Sequence, residues 1–440
     1  MKIKNLPLKI FSVLIVCCMV LSIQNCSRST TSLINESGIT PNDFKGTDTE
    51  RIQQAIDEAQ LSGQIVRIPR SNKNGSQIWI IDSALLLPSH INIVLDNCIL
   101  QLSDQSRDNM FRSDNVGSGI TDPIWNQDIV ISGIGQVELR GATNPRSTGD
   151  GGRMLTLDPQ KEQEEGNWRV SYGSDAGKEG VRQKGDWRNI LILMAFVDGF
   201  TLENIRIKNA HAWSVSFERV HNASLSNIQI NNSEFVTVKG QKRMTSNKDG
   251  INLRQGCKNF RIQNISGRTG DDFIALSSLD SQPEEPKSHG SISSTMVTAS
   301  RYYGPEDDIE NIKINNIQCS NRYRAIAIRA SGESRIHDVY IDGLVFQAEE
   351  ERYDAILLGG KGYGPMNIPG GISEIYVMNI VGNGQSLVRI EAPVRNCHFM
   401  NGMYTGVNES PTLYTINRSA VEGVTELNWH KATTDSGIQD

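Results

Sequence analysis

Apolar residues recur along the chain in short runs that alternate with polar residues, a pattern typical of β-strands. One phrase, apolar-x-apolar-x-Asn-apolar, returns six times, with Gly in place of Asn in one copy. Its anchors are Asn204, Asn227, Asn264, Asn316, Gly343 and Asn379, which lie 23, 37, 52, 27 and 36 residues apart. The shortest spacing therefore defines the repeating unit, and the longer spacings contain insertions.

These units predict an all-β fold, a right-handed parallel β-helix over about residues 60 to 400 in which each unit is one coil. Asn, Gly and Ser separate the runs and turn the chain at low cost. Within the units we find no amphipathic helix of useful length, which disfavours a helical repeat or a leucine-rich horseshoe. Stacked Asn side chains would form a ladder, so we interpret them as structural turn positions. Residues 91–102 and 129–139 are weaker copies of the unit.

One amphipathic helix is predicted near residues 48 to 60, before the coils. Ile52, Ala55, Ile56 and Ala59 have helical spacing, and Thr47 or Asp48 is available as an N-cap. A helix here would cap the open end of the stack. Together with the strand-like run 64–69, the stretch resembles the opening of pectate-lyase-superfamily β-helices.

The first 26 residues have the pattern of an export signal. Three lysines precede an apolar stretch over 10–23, which has the length of a signal-peptide core. The stretch ends before Cys26, which resembles the lipidated cysteine of bacterial lipoproteins; an ordinary cleaved secretory signal is the alternative. We predict a signal over 1–25, a linker over 26–45 and one β-helix domain over 46–440. The mature protein is then expected in the bacterial envelope, in the periplasm or at the cell surface.

Composition excludes several classes of protein. The formal net charge of −6 argues against a protein that coats nucleic acid. No later apolar run reaches membrane-spanning length, so we expect membrane contact only through a lipid anchor. Four cysteines remain after Cys26, namely Cys98, Cys257, Cys319 and Cys397, and they lack zinc-site spacing. We interpret them as buried thiols and expect no metal, no cofactor and a monomer.

Two carboxylate motifs lie one repeat apart. When the strands that follow them are aligned, Asp249 falls on Asp272, 23 residues later, with Asp271 beside it. Stacked strands are about 4.8 Å apart, so three carboxylates should share one place on neighbouring coils. Like charges so close raise one another's pKa. One carboxyl can then hold a proton while another activates water, which is what hydrolysis of a glycosidic bond requires.

These motifs resemble the active-site pattern of glycoside hydrolase family 28, the polygalacturonase family. The resemblance rests on Asn247-Lys-Asp249-Gly and Gly-Asp271-Asp272 and covers about residues 46 to 400. It implies a polysaccharide or oligosaccharide substrate of the pectin type, with Asn247 among the substrate-binding residues. It also implies that Asp271 is the general acid, and that Asp249 and Asp272 hold the attacking water, with inversion at the anomeric carbon.

The basic residues depart from the family pattern. A Gly-His-Gly-like element is replaced by Arg322-Tyr-Arg324-Ala, while His289 lies in a polar insertion from which a loop would have to carry it to the site. The family's Arg-Ile-Lys element is absent from 354–358. Other basic side chains can grip a carboxylate in its place. The candidates are Arg254, Arg324, Arg329 and Lys361.

Two further features are candidates for substrate contact. His211 and Trp213 precede Asp249 by one or two coils; Trp213 suits either sugar stacking or the core. The long polar insertions over 141–187 and 280–308 are predicted to form the walls of a cleft on the same face, with solvent loops as the alternative.

Three other interpretations of the aspartates stay open. They are a structural turn or calcium site, a calcium-dependent polysaccharide lyase in which Arg324 abstracts a proton, and a glycan-binding lipoprotein without catalysis. A lyase would release an unsaturated product that absorbs ultraviolet light and would stop with a chelator.

Overall fold

The computed structural model describes most of the chain from Gly38 onward. The described residues are 38–145, 153–156, 170–172, 182–183, 185–233, 235–238, 240–244, 248–280, 294–298, 301–359, 364–408, 413–415 and 421–432. The predicted signal and Cys26 therefore lie outside them. Ile39 already bridges to Val66, so the folded part includes residues that precede position 46. Within the described residues, no helix is long and apolar enough to cross a membrane.

Helix α1 spans Asp48–Ser62 and confirms the predicted cap. Thr47 is its N-cap and forms a reciprocal capping box with Glu50, which satisfies backbone N–H groups of the first turn. Gly63 ends the helix in the left-handed conformation, at φ 71°. The apolar residues that predicted the helix are buried in the main core, where α1 contacts the first three strands.

The strands are short in the N-terminal coils and longer in the middle of the chain. They are β1 (Val66–Ile68), β2 (Ile78–Ile81), β3 (Leu85–Leu87), β4 (Asn92–Asp96), β5 (Ile99–Leu102), β6 (Phe111–Ser113), β7 (Asn126–Ile134), β8 (Glu138–Arg140), β9 (Arg153–Thr156), β10 (Val170–Tyr172), β11 (Arg182–Gln183), β12 (Ile192–Lys208), β13 (Val215–Asn232), β14 (Phe235–Val238), β15 (Gln241–Met244), β16 (Ile251–Leu253), β17 (Lys258–Thr269), β18 (Ile274–Leu279), β19 (Ile309–Asn321), β20 (Ile326–Ser331), β21 (Ile336–Ala348), β22 (Ile356–Leu358), β23 (Ile372–Gly382), β24 (Val388–Ile390), β25 (Val394–Tyr404), β26 (Leu413–Thr415), β27 (Val421–Glu422) and β28 (Thr425–Lys431).

Successive coils pair in parallel and in the predicted register. Ile205 pairs with Ile228, which pairs with Ile265, and Ile265 pairs with Ile317. The inward apolar residues of all coils form one continuous core. The fold is thus a parallel β-helix, as the repeat predicted. It continues past residue 400, because β28 pairs with β25.

The repeated asparagines form the expected ladder. Asn204, Asn227 and Asn264 have φ between 54° and 59°, a left-handed conformation that Asn tolerates better than most residues. The Asn227 amide donates to Asn204 over 2.9 Å, and the Asn264 amide donates to Asn227 over 3.1 Å. A second ladder, not predicted, joins Asn259 to Asn222 on another corner of the coils. Each rung orders the turn below it.

The four cysteines after Cys26 are free and buried, as predicted. Burial raises the pKa of Cys257 to about 12, and those of Cys98 and Cys397 likewise, so these thiols stay protonated.

Candidate active site

Strand register places the two carboxylate motifs on one column of the β-helix. Ile251 of β16 pairs with Ile274 of β18, which pairs with Ile326 of β20. Asp249, Asp272 and Arg324 each precede these positions by two residues. Backbone bonds continue the ladder, from Gly250 N to Asp272 O over 3.0 Å and from Phe273 N to Arg324 O over 3.0 Å. The predicted alignment of Asp249 with Asp272 is therefore how the coils stack.

A cavity of about 170 Å³ lies at this column. Six predicted site residues line it together: the three aspartates, Arg254, Arg329 and Trp213. Asn252, Ser277, Leu279 and Thr295 complete its lining. Asn247, Lys361 and His289 lie outside the described residues.

Asp272 is the most enclosed of the three carboxylates, at 1% exposure. Arg329 Nη2 lies 2.7 Å from Oδ2, and Arg324 Nη1 lies 3.2 Å from Oδ1. Burial on its own would raise the pKa of this carboxyl, but the two guanidinium groups outweigh burial and lower it. Asp272 is therefore a carboxylate at neutral pH. Arg324 also stacks on the Tyr353 ring, 5.4 Å from its centroid.

Asp271 is only partly buried and lies on a turn that the next coil holds in place. Its carboxylate accepts the Asp272 backbone N–H over 2.9 Å. The Asn321 amide donates to Asp271 O over 2.5 Å and to Arg324 O over 3.1 Å, and it accepts the Thr269 N–H over 2.7 Å. One buried amide thus fixes the backbone of both Asp271 and Arg324.

The sequence left open whether Trp213 contacts substrate or packs in an apolar core, and the structure is compatible with both. It lines the cavity, and it also packs in an apolar cluster outside the coil core. The Arg254 guanidinium lies 5.3 Å from its ring centroid, a cation–π arrangement. Trp213 Nε1 and Asn252 Nδ2 are among the buried side-chain atoms of the described residues that have no hydrogen-bond partner. Because both residues line the cavity, these donors are available to a polar ligand.

His211 is not among the described residues that line the cavity, and its role in substrate binding stays a prediction. Its ring is buried, and Nε2 accepts the Ala142 backbone N–H over 2.8 Å. Burial and, next, the charge of Lys248 lower its pKa to about 3. His211 is therefore a neutral residue that holds the start of the first insertion.

Sequence reasoning missed three polar residues that shape the site. Asn321 fixes the turn described above. Glu218 is fully buried and accepts the backbone N–H groups of Val297 and Thr298 over 3.0 and 2.8 Å. Asp354 follows Arg324 on the same column, because Ile326 pairs with Ile356, and burial raises its pKa. The strand alignment that revealed Asp272 was the available signal for Asp354.

Both predicted insertions reach this face at their described ends. Thr295, from the second insertion, lines the cavity. Trp187, the last residue of the first insertion, packs in the same cluster as Trp213 and donates its N–H to Ser294 O over 2.9 Å. Within the first insertion, β9, β10 and β11 form a small separate sheet.

Comparison with known proteins agrees with this geometry. Residues 162–339, about two fifths of the chain, match the family model of the glycosyl hydrolases family 28, and this stretch holds both carboxylate motifs. No curated protein matches the sequence.

Solved structures share the fold at low sequence identity. An endo-xylogalacturonan hydrolase from Aspergillus tubingensis is 13% identical, with a TM-score of 0.54 over 90% of this chain and 92% of that one. A tailspike protein mutant of E. coli bacteriophage HK620, in complex with pentasaccharide, is 11% identical, with a TM-score of 0.54 over 93% of this chain and 70% of that one. The family match over residues 162–339 confirms the resemblance to glycoside hydrolase family 28 and supports the prediction of a glycoside hydrolase, whereas the solved structures show the fold.

Proposed function

We propose that the protein hydrolyses glycosidic bonds of an acidic, pectin-like polysaccharide by an inverting acid–base mechanism. The observation that carries this proposal is the lining of one cavity by Asp249, Asp271 and Asp272 together with two arginines. An inverting hydrolase needs a carboxylic acid near the leaving oxygen and a carboxylate that activates water on the opposite face of the sugar.

Asp271 is the proton donor in this proposal. It is more exposed than Asp249 and Asp272, so it can reach the glycosidic oxygen of a bound chain. As the bond from the anomeric carbon to that oxygen breaks, the Asp271 proton passes to the oxygen. The leaving sugar then departs as a neutral alcohol.

Asp249 and Asp272 hold the attacking water. Both oxygens of Asp272 bind guanidinium groups, which keep it charged but reduce its capacity to take a proton. We therefore assign the proton of the water to Asp249. The water oxygen forms the new bond to the anomeric carbon from the face opposite the leaving group, which inverts the configuration.

A basic group in the lining supports an acidic substrate. Arg329 already pairs with Asp272, but Arg254 also lines the cavity, and a guanidinium group can bind a carboxylate through two parallel hydrogen bonds. The family that the chain resembles and the named activity of the Aspergillus protein point to the same class of glycan.

The lyase alternative requires Arg324 to abstract a proton. The structure instead places the Arg324 guanidinium 3.2 Å from Asp272 and 5.4 Å from the centroid of the Tyr353 ring. A base that abstracts a substrate proton would have to give up these contacts.

A screen of acidic plant and algal polysaccharides tests the proposal. We expect new reducing ends without ultraviolet absorbance, unaffected by a chelator. Proton NMR of the first product should show inverted anomeric configuration. An absorbing product that disappears with the chelator would move the protein to the lyase class. Absence of reducing ends across the screen would favour a glycan-binding protein without catalysis.

Export and lipid attachment at Cys26 complete the proposal, on the strength of the N-terminal sequence pattern. Expressed in a bacterial host, the full chain should fractionate with membranes. A Cys26→Ser variant should leave them. Equal distribution of the two proteins would argue for an ordinary secretory signal.

A further inference from the structure

A second apolar cluster covers the outside of the β-helix next to the candidate active site. It consists of Val116, Trp187, Ile190, Leu193, Ala195, Trp213 and Val297. Leu193 and Ala195 lie on the outer face of β12, because the alternate residues Ile192 and Met194 belong to the main core. Outward positions of a coil usually face solvent. Since Leu193 and Ala195 are buried, segments from elsewhere in the chain must cover the outer face of this coil.

Two segments, 186–190 and 294–298, cover this outer face, and we call them the plug. The backbone N–H of Trp187 donates a hydrogen bond to the backbone carbonyl of Ser294 and joins the two segments. The Asn109 amide donates to Trp187 O over 2.9 Å and to Ile190 O over 2.7 Å, and Glu218 holds residues 297 and 298. Buried bonds to the coils anchor both segments, so the plug is a fixed part of the fold.

Strand register gives the position of the plug relative to the cavity. Leu193 of β12 pairs with Ser216 of β13, and Ser216 pairs with Asn252 of β16. Asn252 lines the cavity, whereas Ser216 and Leu193 are fully buried. Trp213 belongs to both the cavity and the apolar cluster. Along the outer face of the strands, the cavity therefore ends at Trp213.

A polysaccharide that follows this face toward the N-terminal coils would collide with the plug. Adjacent coils are about 4.8 Å apart, so the described residues of the plug cover the outer strand face within one or two coils of the cavity. The cavity volume of about 170 Å³ is also below the roughly 300–1,000 Å³ of pockets that enclose drug-sized ligands. Along this strand face, the described residues thus leave room beside Trp213 for a terminal unit and not for a continuing chain.

We infer that the protein acts on chain ends: it is an exo-acting hydrolase that places a terminal unit of the acidic glycan against Trp213. This inference rests on the proposed function. It assigns Trp213 and the plug as determinants of the mode of cleavage, in addition to the carboxylates that cleave the bond.

The test is to follow viscosity and product size together, on the acidic polysaccharide from which the wild-type protein releases reducing ends. We expect one short product from the earliest time points, while the viscosity stays high. An early fall in viscosity with a ladder of long oligosaccharides would overturn the inference and leave the proposed hydrolase intact. If no polysaccharide yields reducing ends, the proposed function fails, and the chain-end inference fails with it.

Variants of the plug provide a second test. Trp187→Ala removes the largest side chain of the plug and should add longer oligosaccharides to the products. If Trp187→Ala folds poorly, Glu218→Gln can replace it. This change weakens the hydrogen bonds that hold residues 297 and 298, and it should likewise add longer oligosaccharides to the products. Trp429→Ala, which alters a tryptophan that packs on the C-terminal coils, serves as the control and should keep the wild-type products. Identical products from a folded Trp187→Ala protein and the wild type would contradict the inference.

Discussion

Replacing Arg329 by methionine tests whether the buried carboxylate of Asp272 depends on its guanidinium partners. Arg329 Nη2 lies 2.7 Å from Oδ2, and the two side chains are only 7% and 2% exposed. Breaking a buried ion pair from one side costs about 3–5 kcal/mol, because the remaining charge is uncompensated. Arg324 remains as a second partner at 3.2 Å, so we expect the lower end, a loss of about 3 kcal/mol in unfolding free energy at pH 7.

The effect should depend on pH. The two arginines lower the pKa of Asp272 against the effect of burial. A lowered pKa stabilises the fold above the ordinary aspartate pKa, and this stabilisation disappears as the pH falls through the depressed value. In Arg329→Met the carboxyl accepts a proton more readily, so the difference from the wild type should shrink toward acidic pH.

Urea unfolding at pH 7 and at pH values below the ordinary aspartate pKa measures this difference. The matched control is Arg324→Met. The Arg324 side chain is 21% exposed and lies farther from the Asp272 carboxylate, so this variant should lose about 1 kcal/mol of unfolding free energy. The double variant Asp272→Asn, Arg329→Met should lose less unfolding free energy than the sum of the losses in the two single variants. If Arg329→Met proves no more destabilising than the control, the ion pair does not hold Asp272 in the way described.

Two further predictions concern stability. The Asp308 carboxylate, 3.6 Å from His337 Nε2, raises the pKa of His337 against burial, and together with Asp338, 2.7 Å from Nδ1, it brings the pKa to about 9. This stabilisation is complete below the ordinary histidine pKa and is lost as the pH rises through 9. Because the ring is partly exposed, His337→Gln should cost about 1–2 kcal/mol at pH 6 and close to nothing at pH 10 in urea unfolding. In the asparagine ladder, Asn264→Ala should cost about 2 kcal/mol, because it loses hydrogen bonds and strains a residue at φ 57°. Asn264→Gly keeps the backbone relaxed and should cost less, and a larger loss for glycine in the same assay would contradict the strain argument.

The repeat made the fold predictable because each coil carries its own local signature. Strand alternation and turn asparagines recur at a spacing that only stacking satisfies, and the same spacing placed Asp249 over Asp272. Two motifs more than twenty residues apart thereby became a site. The end of the stack was placed too early, because the ladder continues beyond residue 400: the Asn401 amide donates to Asn379 over 3.1 Å, and the Asn428 amide donates to Asn401 over 3.2 Å.

Contacts from the insertions could not be read from the sequence. Glu218 meets Val297 and Thr298 about 80 positions along the chain, and no repeat relates them. His211 lies two residues before Trp213 in the sequence, yet its ring accepts a hydrogen bond from the Ala142 backbone. The sequence spacing of motifs does not specify the direction in which the side chain of a turn residue points. Trp213 both lines the cavity and packs in an apolar cluster, because the insertions supply apolar partners such as Trp187 and Val297 that no repeat could predict.

Turnover by an Asp271→Asn variant is the most direct measurement of the central claim. On the polysaccharide that the wild-type protein cleaves, the variant should release almost no reducing ends, because an amide fills the same space but delivers no proton. Asp82→Asn, at an exposed aspartate that does not line the cavity, should retain wild-type activity, and circular dichroism should show both variants folded. Near wild-type turnover by folded Asp271→Asn would contradict the assignment of Asp271 as the general acid.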